Sequence, residues 1–217
     1  MRIALIHALK HSIVPIEQSF ARRWPEARLA NLLDDSLSAD LARDGALTPA
    51  MTERFLTLAR YAASCGADAI LFTCSAFGPC IDACAQALAP MPVLKPNEAM
   101  IDEAVELAGV SGRVGLLATF APTLATMPAE FAVAAPEITL VSALAAEALE
   151  ALNRGDAAAH DRLAATASRS LEGCDVVALA QFSLSSAAPL VAEATGRAVL
   201  TTPDSTVRKL RRLLIPA

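Results

Sequence analysis

The chain has 217 residues, of which 54% are hydrophobic and 19% are charged. This composition is typical of a folded globular protein and excludes an intrinsically disordered chain. The formal net charge is −5, and the one basic run lies at residues 208–212. We therefore expect no nucleic-acid partner, because binding along a phosphate backbone requires a positively charged surface.

The N-terminal segment predicts a strand from the second residue onward. It reads Arg-Ile-Ala-Leu-Ile-His over residues 2–7, without the apolar core of a signal peptide. Proline, glycine or charge breaks every apolar stretch before the roughly 18 residues that a membrane span needs, so no membrane partner is expected. The five cysteines form no CxxC pair. An odd number of free thiols is typical of the cytoplasm, where we expect the protein to reside.

Short apolar runs alternate with helical patterns along the chain. In the first half, strands are predicted at residues 2–6, 26–33, 69–73 and 92–94, and helices begin at Thr48-Pro49 and at Gly78-Pro79. In the second half, helices are predicted over residues 100–108, 124–133, 143–153 and 156–171. The apolar runs do not alternate with polar residues, which is typical of strands buried on both faces of a parallel sheet.

Three strand segments of the first half recur in the second half in the same order. Residues 2–6 recur at 113–117, residues 68–74 at 175–181 and residues 92–94 at 198–200, with offsets of 111, 107 and 106 residues. This recurrence indicates an internal duplication.

The duplication predicts an α/β fold of two pseudo-symmetric lobes, each a short parallel sheet flanked by helices. Lobe 1 is predicted to comprise residues 1–96 plus 205–217, and lobe 2 residues 97–204. We expect the functional site in the cleft between the lobes, because open parallel sheets bind ligands at the carboxyl ends of their strands.

Cys74 is the predicted reactive residue. It follows the apolar run 69–73 and precedes the helix that begins at Gly78, so it lies between a strand end and a helix N-terminus. A helix N-terminus lowers the pKa of a nearby thiol, and a thiolate there can act as a base or a nucleophile. The alternative is a buried, inert cysteine, which is the commonest fate of a free thiol.

Polar residues at the other strand ends form a second group of candidates. His7 ends the first strand, where it would either activate the thiol or hydrogen-bond within a loop. Asp34 and Asp35 follow the second strand, and one carboxylate would bind a substrate amine or orient His7. Ordinary turn chemistry is the alternative for this pair. Lys95 ends the fourth strand and would attract an anionic substrate.

Five segments carry recognisable motifs. Residues 66–75 read Gly-Ala-Asp-Ala-Ile-Leu-Phe-Thr-Cys-Ser, residues 116–123 form a threonine-containing strand and loop, and residues 175–183 repeat the first motif. Residues 31–37 and 155–161 are the other two. Together they resemble the Asp/Glu/hydantoin racemase superfamily over essentially the whole chain. Within the last segment, His160 is expected to be solvated or to cap a helix.

The resemblance implies proton transfer at carbon with no metal or organic cofactor. Racemases of that superfamily use two cysteines, one per lobe, on opposite faces of the substrate carbon. Cys74 matches the first cysteine, and Ser75 matches a neighbour that hydrogen-bonds the substrate carboxylate. Thr119 and Thr123 match positions that help to bind that carboxylate or the opposite side of the substrate. The predicted substrate-binding residues are His7, Asp35, Ser75, Ala76, Thr119, Thr123, Phe182 and Ser183.

The sequence departs from this pattern at the second cysteine. Gln181 stands there, and an amide does not exchange a proton usefully near neutral pH. Ser183 lies two residues further on, but a hydroxyl is a poor base without an activating partner. Cys174 precedes the strand and is expected to pack in the core. We therefore predict Cys74 and Gln181 as the catalytic residues, with Gln181 as a hydrogen-bond donor to an enediolate oxygen.

The sequence predicts a cofactor-independent racemase-like or isomerase-like enzyme. It would transfer a proton at carbon on a small carboxylic or amino acid, with Cys74 as acid and base. A one-thiol decarboxylase, a cis–trans isomerase, a non-catalytic carboxylate-binding protein and an interaction scaffold are the alternatives. The expected partner is a small carboxylate, and a homo-oligomer is left open. A zinc site at Cys80 and Cys84 is not expected, because no histidine or further cysteine lies near them in the sequence.

Overall fold

The computed structural model describes residues 1–215. The chain divides into two compact units. Unit 1 is Met1–Pro96 together with the chain from Val207 onward, and unit 2 is Asn97–Thr206. The predicted lobe 1 also contained residues 216–217, which lie outside the described residues.

Unit 1 contains a four-stranded parallel sheet with the strand order β2-β1-β3-β4. The strands are β1 (Arg2–His7), β2 (Arg28–Leu33), β3 (Ala69–Phe72) and β4 (Val93–Leu94). The helices are α1 (Ile13–Arg23), α2 (Leu37–Asp44), α3 (Pro49–Ser64) and α4 (Gly78–Ala87). Short 3-10 helices cover Lys10–Ser12 and Ser75–Phe77.

Unit 2 contains a second four-stranded parallel sheet with the order β6-β5-β7-β8. The strands are β5 (Arg113–Ala118), β6 (Thr139–Leu144), β7 (Val176–Leu179) and β8 (Ala198–Thr201). The helices are α5 (Glu98–Ala108), α6 (Ala121–Ala134), α7 (Ala146–Asn153), α8 (Ala157–Ser168), α9 (Ala188–Thr195) and α10 (Thr202–Leu214), which continues into unit 1. Arg169–Leu171 and Phe182–Ala187 form 3-10 helices. Among residues 1–215, none of the helices combines the length and the apolarity that crossing a membrane requires.

The two sheets confirm the predicted fold class and the internal duplication. Their strand orders are the same, and their registers match: Ile6 of β1 pairs with Phe72 of β3, as Leu117 of β5 pairs with Leu179 of β7. These pairs are separated by the offsets of 111 and 107 residues that the sequence shows. The chain is therefore an α/β protein built from two copies of one parallel-sheet unit.

Both faces of each sheet are covered, which explains why the strand sequences are apolar without alternation. All four residues of β7 are fully buried, and so are Ile70 and Leu71 of β3. In unit 1, Phe55 of α3 stacks on Phe72, with ring centroids 5.2 Å apart, and tilts against Phe77 at 4.9 Å. This aromatic cluster lies directly below the end of β3.

Local sequence signals set the start of α3. The Thr48 hydroxyl accepts a hydrogen bond from the Met51 N–H at 3.2 Å, and Pro49 occupies the first helical turn. Threonine is a favoured N-cap residue and proline is favoured at the first helical position. The predicted helix start at Thr48-Pro49 is therefore confirmed.

One predicted helix was partly wrong. A helix was expected over residues 143–153, but Ala143 and Leu144 belong to β6, and α7 begins at Ala146. The strand β6, which was not predicted, pairs with β5 along its whole length. Pairing with a central strand outweighs the weak preference of alanine and leucine for helix.

Replacing Phe55 tests the aromatic cluster. Phe55→Ala is expected to lower the free energy of unfolding by about 3–5 kcal/mol, because it leaves a cavity between Phe72 and Phe77. Val14→Ala, at a side chain that is 58% exposed, serves as the control and should change it by no more than about 0.5 kcal/mol. Urea unfolding measures both variants. Equal effects would show that Phe55 is not part of the core that supports β3.

Candidate active site

Cys74 lies two residues after the end of β3. Its backbone is extended, with φ −128° and ψ 121°, and its side chain is half-buried. The Ala76 N–H donates a hydrogen bond to the Cys74 sulfur. The thiol is free, as are those of Cys65, Cys80, Cys84 and Cys174.

The predicted lowering of the Cys74 pKa was wrong. Burial raises the pKa of the thiol, and the hydrogen bond from Ala76 only partly opposes this effect. The N-terminus of α4 does little to lower the pKa of Cys74, because a 3-10 helix follows Cys74 and α4 begins only at Gly78. The influence of a helix dipole is confined to its first turn. At neutral pH, Cys74 is therefore a protonated thiol rather than a thiolate.

A narrow crevice adjoins the thiol and explains its desolvation. It is too narrow to hold a water molecule. Its walls are formed mainly by apolar side chains of β1, β3, α2 and α3, and the lining residues are Ile6, His7, Ala8, Leu37, Phe55, Phe72 and Cys74. Such surroundings disfavour a negative charge on the sulfur.

His7 does not reach solvent, and its ring is hydrogen-bonded to two side chains. The side chain is fully buried at the end of β1. Its Nδ1 lies 2.9 Å from the Thr73 hydroxyl, and its Nε2 lies 2.9 Å from the side-chain oxygen of Asn31. Burial lowers the pKa of His7 and keeps the ring neutral. The alternative expectation, hydrogen bonding within the protein, is the one that the structure shows.

Asn31 and Glu17 join His7 in a polar chain that sequence reasoning missed. The Asn31 amide donates to a Glu17 carboxylate oxygen at 2.7 Å. Asn31 lies on the edge strand β2 and Glu17 on α1, so the two are 14 residues apart. The one signal in the sequence is a polar residue inside the otherwise apolar second half of β2.

The acidic residues after β2 have structural partners. Asp34 accepts hydrogen bonds from the Ser36 hydroxyl at 2.9 Å and from Arg54 at 2.5 Å, which is the turn chemistry that was the alternative expectation. Asp35 is exposed, and its carboxylate lies 3.7 Å from Lys10. Within the described residues, neither carboxylate hydrogen-bonds to His7. The predicted orienting role of this pair was therefore wrong.

Two candidates next to the thiol differ in what they offer. Ser75 is half-buried, and its hydroxyl has no hydrogen-bond partner in the part of the chain that the structure describes. Ala76 is exposed and contributes its main-chain N–H to Cys74. Lys95, at the end of the fourth strand, is less available to an anionic substrate, because its ammonium group pairs with the Asp82 carboxylate at 2.7 Å.

Gln181 occupies in unit 2 the position that Cys74 occupies in unit 1. It lies two residues after β7, in the same extended conformation, with φ −142° and ψ 145°. Its side-chain oxygen accepts hydrogen bonds from the Thr119 N–H at 2.6 Å and from the Thr119 hydroxyl at 2.9 Å. Because a main-chain N–H can only donate, these bonds fix which end of the amide is the oxygen. The amide nitrogen is left without a partner among residues 1–215.

The remaining candidates of unit 2 divide into free and packed side chains. The hydroxyls of Thr123 and Ser183 make no hydrogen bond to any described residue. Phe182 is only 4% exposed, so its ring packs in the core.

Two side-chain contacts to Asp161 hold the segment that follows Gln181. The Ser186 hydroxyl donates to a carboxylate oxygen of Asp161 at 2.7 Å, and Nδ1 of His160 lies 2.8 Å from the same oxygen. His160 is fully buried, so the expected solvated or capping role was wrong. Together these contacts fix the 3-10 helix Phe182–Ala187 against α8.

The other cysteines do not contribute to the site. Cys174 is 2% exposed and packs in the core of unit 2, so its predicted packing role is confirmed. Cys80 and Cys84 are buried in α4. Within the described residues, the structure shows no group of three or more side chains placed to hold a metal ion.

Solved structures of other proteins share this fold. The glutamate racemase of Francisella tularensis, in complex with D-glutamate, superposes with a TM-score of 0.72 at 15% identity, over 98% of this chain and 80% of the other. The aspartate racemase of Picrophilus torridus gives 0.72 at 12% identity, over 98% and 93%. Unliganded arylmalonate decarboxylase gives 0.64 at 18% identity, over 100% and 94%. The chain therefore has the fold shared by these racemases and this decarboxylase.

The family follows from the sequence. The profile of the Asp/Glu/Hydantoin racemase family matches residues 16–210, and the chain belongs to that family. No curated protein matches the sequence. The resemblance drawn from the motifs is confirmed at the level of the family, which makes the chain a racemase-like enzyme of the isomerase class.

The alkylation rate of Cys74 tests its protonation state. Because the thiolate is the reactive form, a raised pKa predicts slow alkylation at neutral pH and a rise of the rate only above the pH range of an ordinary thiol. A Cys65→Ser background removes the exposed cysteine from the measurement. Mass spectrometry of the labelled peptide follows Cys74 alone. An inflection below that of a small-molecule thiol would contradict the effect of burial.

Proposed function

We propose that the chain transfers a proton at carbon on a small carboxylic acid, without a cofactor, and that Cys74 is its acid and base. The observation that carries the proposal is the free thiol at the carboxyl end of β3, beside the unpaired hydroxyl of Ser75. The carboxyl ends of parallel strands are where such sheets bind small ligands. Membership of the racemase family supports proton transfer as the reaction.

The protonation state of Cys74 defines its part in the reaction. Burial raises its pKa, so the resting thiol carries a proton. It can deliver that proton to a carbanion or enediolate, which forms a C–H bond and leaves a thiolate. In the reverse direction the thiolate removes the proton and the thiol is restored. One group thus serves as acid and as base.

Neutral hydrogen-bond donors are available for a carboxylate. In unit 1 the hydroxyl of Ser75 has no partner among the described residues, and in unit 2 the same holds for the hydroxyls of Thr123 and Ser183 and for the amide nitrogen of Gln181. Hydrogen-bond donors of this kind stabilise the charge that develops on an enediolate oxygen. The glutamate racemase with the same fold binds D-glutamate, which supports a small carboxylate as the substrate class.

A one-thiol decarboxylase is the second candidate, and Gln181 favours it. Racemisation by two thiols needs a proton donor on each face of the carbon, and the amide of Gln181 cannot supply one. Loss of carbon dioxide instead leaves a carbanion that needs a single proton. The protonated Cys74 can supply that proton.

Removing the thiol tests the proposed function. Parent, Cys74→Ser and a Cys65→Ser control are incubated in deuterium oxide with small acids that include aspartate, glutamate and alkyl- and aryl-substituted malonates. Mass spectrometry follows deuterium incorporation, and carbon dioxide release separates decarboxylation from exchange. We expect Cys74→Ser to lower the rate by about 10²–10⁴-fold, the usual contribution of an acid–base group, and Cys65→Ser to leave it unchanged. Full activity in Cys74→Ser would overturn the role of the thiol.

Restoring the second thiol separates an enzyme from a binding protein. We expect the parent to be active and Gln181→Cys to change the product, adding exchange of the α-proton to the parent reaction. Chiral chromatography measures the change. An inactive parent whose Gln181→Cys variant gains exchange would instead favour a non-catalytic carboxylate-binding protein.

A further inference from the structure

The polar chain of unit 1 has no counterpart in unit 2. The strand registers place Ala118 at the position of His7, Ala180 at that of Thr73 and Ser142 at that of Asn31. Hydrogen bonds at the opposite ends of the strands are retained in both copies. The Arg2 N–H donates to Asp68 at 2.7 Å, and the Arg113 N–H donates to Asp175 at 2.7 Å.

Comparing the two copies of the unit distinguishes residues that the fold requires from residues that have another role. The same unit folds in the second half with alanine at two of the three positions, so the polar chain is not a requirement of the fold. It occurs in the copy that carries the thiol, and Thr73 directly precedes Cys74. His7 and Thr73 are buried, whereas Asn31 is exposed and Glu17 is half-buried. Burying the polar groups of His7 and Thr73 is costly unless they are hydrogen-bonded, which makes their pairing beside the thiol informative.

The residues of this polar chain together fix the direction of each hydrogen bond within it. An ionised Glu17 can only accept, so the Asn31 amide nitrogen donates to it. The Asn31 oxygen must then face His7, and His7 donates to it from Nε2. A neutral ring with its proton on Nε2 has a lone pair on Nδ1, which accepts from the Thr73 hydroxyl. The donors thus run from Thr73 through His7 and Asn31 to Glu17.

The opposite direction would require a proton on Glu17. Asn31 would turn its nitrogen toward His7, and its oxygen would face a Glu17 oxygen at 2.7 Å, where two acceptors repel unless one carries a proton. His7 would then donate from Nδ1, and the Thr73 hydroxyl would have to donate to the Ile6 carbonyl at 3.5 Å. At 3.5 Å, this bond is too long to replace the hydrogen bond that the Thr73 hydroxyl otherwise donates to His7.

We infer that Glu17 and Asn31 are positioning residues that hold His7 as the Nε2–H tautomer, so that its Nδ1 accepts from Thr73 and fixes the strand end that carries Cys74. Neither residue is assigned a role by the family or by the sequence motifs. The functional part of the inference rests on the proposed function, because it takes Cys74 as the reacting group. The tautomer itself is independent of any activity.

The position of this polar chain explains how it acts on the Cys74 thiol. The Thr73 N–H donates to the Ile6 carbonyl at 3.0 Å, so the main chain of Thr73 is held by β1 while its hydroxyl is held by His7. Cys74 is the next residue, and both His7 and Cys74 line the same crevice. A change of tautomer would release the Thr73 hydroxyl and loosen the backbone from which the thiol projects.

Nitrogen-15 NMR of the histidine rings tests the inference. The chain has three histidines, which makes assignment by single substitution practical. The parent should show His7 with its proton on Nε2. His160 supplies an internal reference, because its Nδ1 faces the Asp161 carboxylate and should carry the proton instead.

The variants separate the charge of Glu17 from its hydrogen bond. Glu17→Ala should shift His7 toward the Nδ1–H tautomer, and Glu17→Gln, which keeps an acceptor, should restore the parent spectrum. Glu106→Ala, at an exposed residue of α5, is the matched control and should change nothing. Asn31→Ser places at this position the residue type that unit 2 has, and it should give the same shift if Glu17→Ala does not fold.

The outcomes distinguish this inference from the proposed function. Glu17→Ala should lower kcat more than it raises KM, and should change the pH profile of Cys74 alkylation, whereas Glu106→Ala should affect neither. A parent with the proton of His7 on Nδ1 would overturn the inference, and so would Glu17→Ala and Asn31→Ser variants that keep the Nε2–H tautomer of the parent. If Cys74→Ser keeps full activity while the tautomer responds as expected, the proposed function fails and the positioning of His7 stands.

Discussion

The pairing of β1 with β3 is the interaction on which the candidate site depends. Parallel pairing puts the carboxyl ends of both strands at one edge of the sheet, and the register of Ile6 with Phe72 places His7 beside Thr73. Helices cover both faces of the central strands, whose apolar side chains form the core. The polar groups nearest the thiol, His7 and Thr73, therefore lie at the ends of β1 and β3.

The two copies of the unit show what this constraint allows. The same frame presents a thiol at Cys74 and an amide at Gln181, and each is held by different means. Thr119 fixes the amide from the neighbouring strand end with two hydrogen bonds. Ala8 occupies the corresponding place in unit 1, so Cys74 lacks such a partner and receives one hydrogen bond, from Ala76. The position of the Cys74 thiol is therefore set by the apolar side chains around it and by the backbone that carries it.

Sequence patterns predicted what is local and missed what depends on pairing. The apolar runs and the cap at Thr48 gave the strands of the repeat and the start of α3, because these signals lie within a few neighbouring residues. The strand β6 was missed since its alanines resemble a helix until β5 pairs with them. The link between Asn31 and His7 spans 24 residues and exists only in the register of β1 with β2. The raised pKa of Cys74 likewise depends on side chains of α2 and α3 that no motif at position 74 describes.

The buried groups around the thiol share one electrostatic property. Burial raises the pKa of Cys74 and lowers that of His7, so the acid keeps its proton and the base remains without one. Both shifts disfavour charge in the resting protein, since an apolar crevice solvates an ion poorly. In the reaction proposed for Cys74, a charge that forms is then not neutralised by a resting ion pair between these two groups. Under this proposal it has to be stabilised by neutral donors such as the hydroxyl of Ser75.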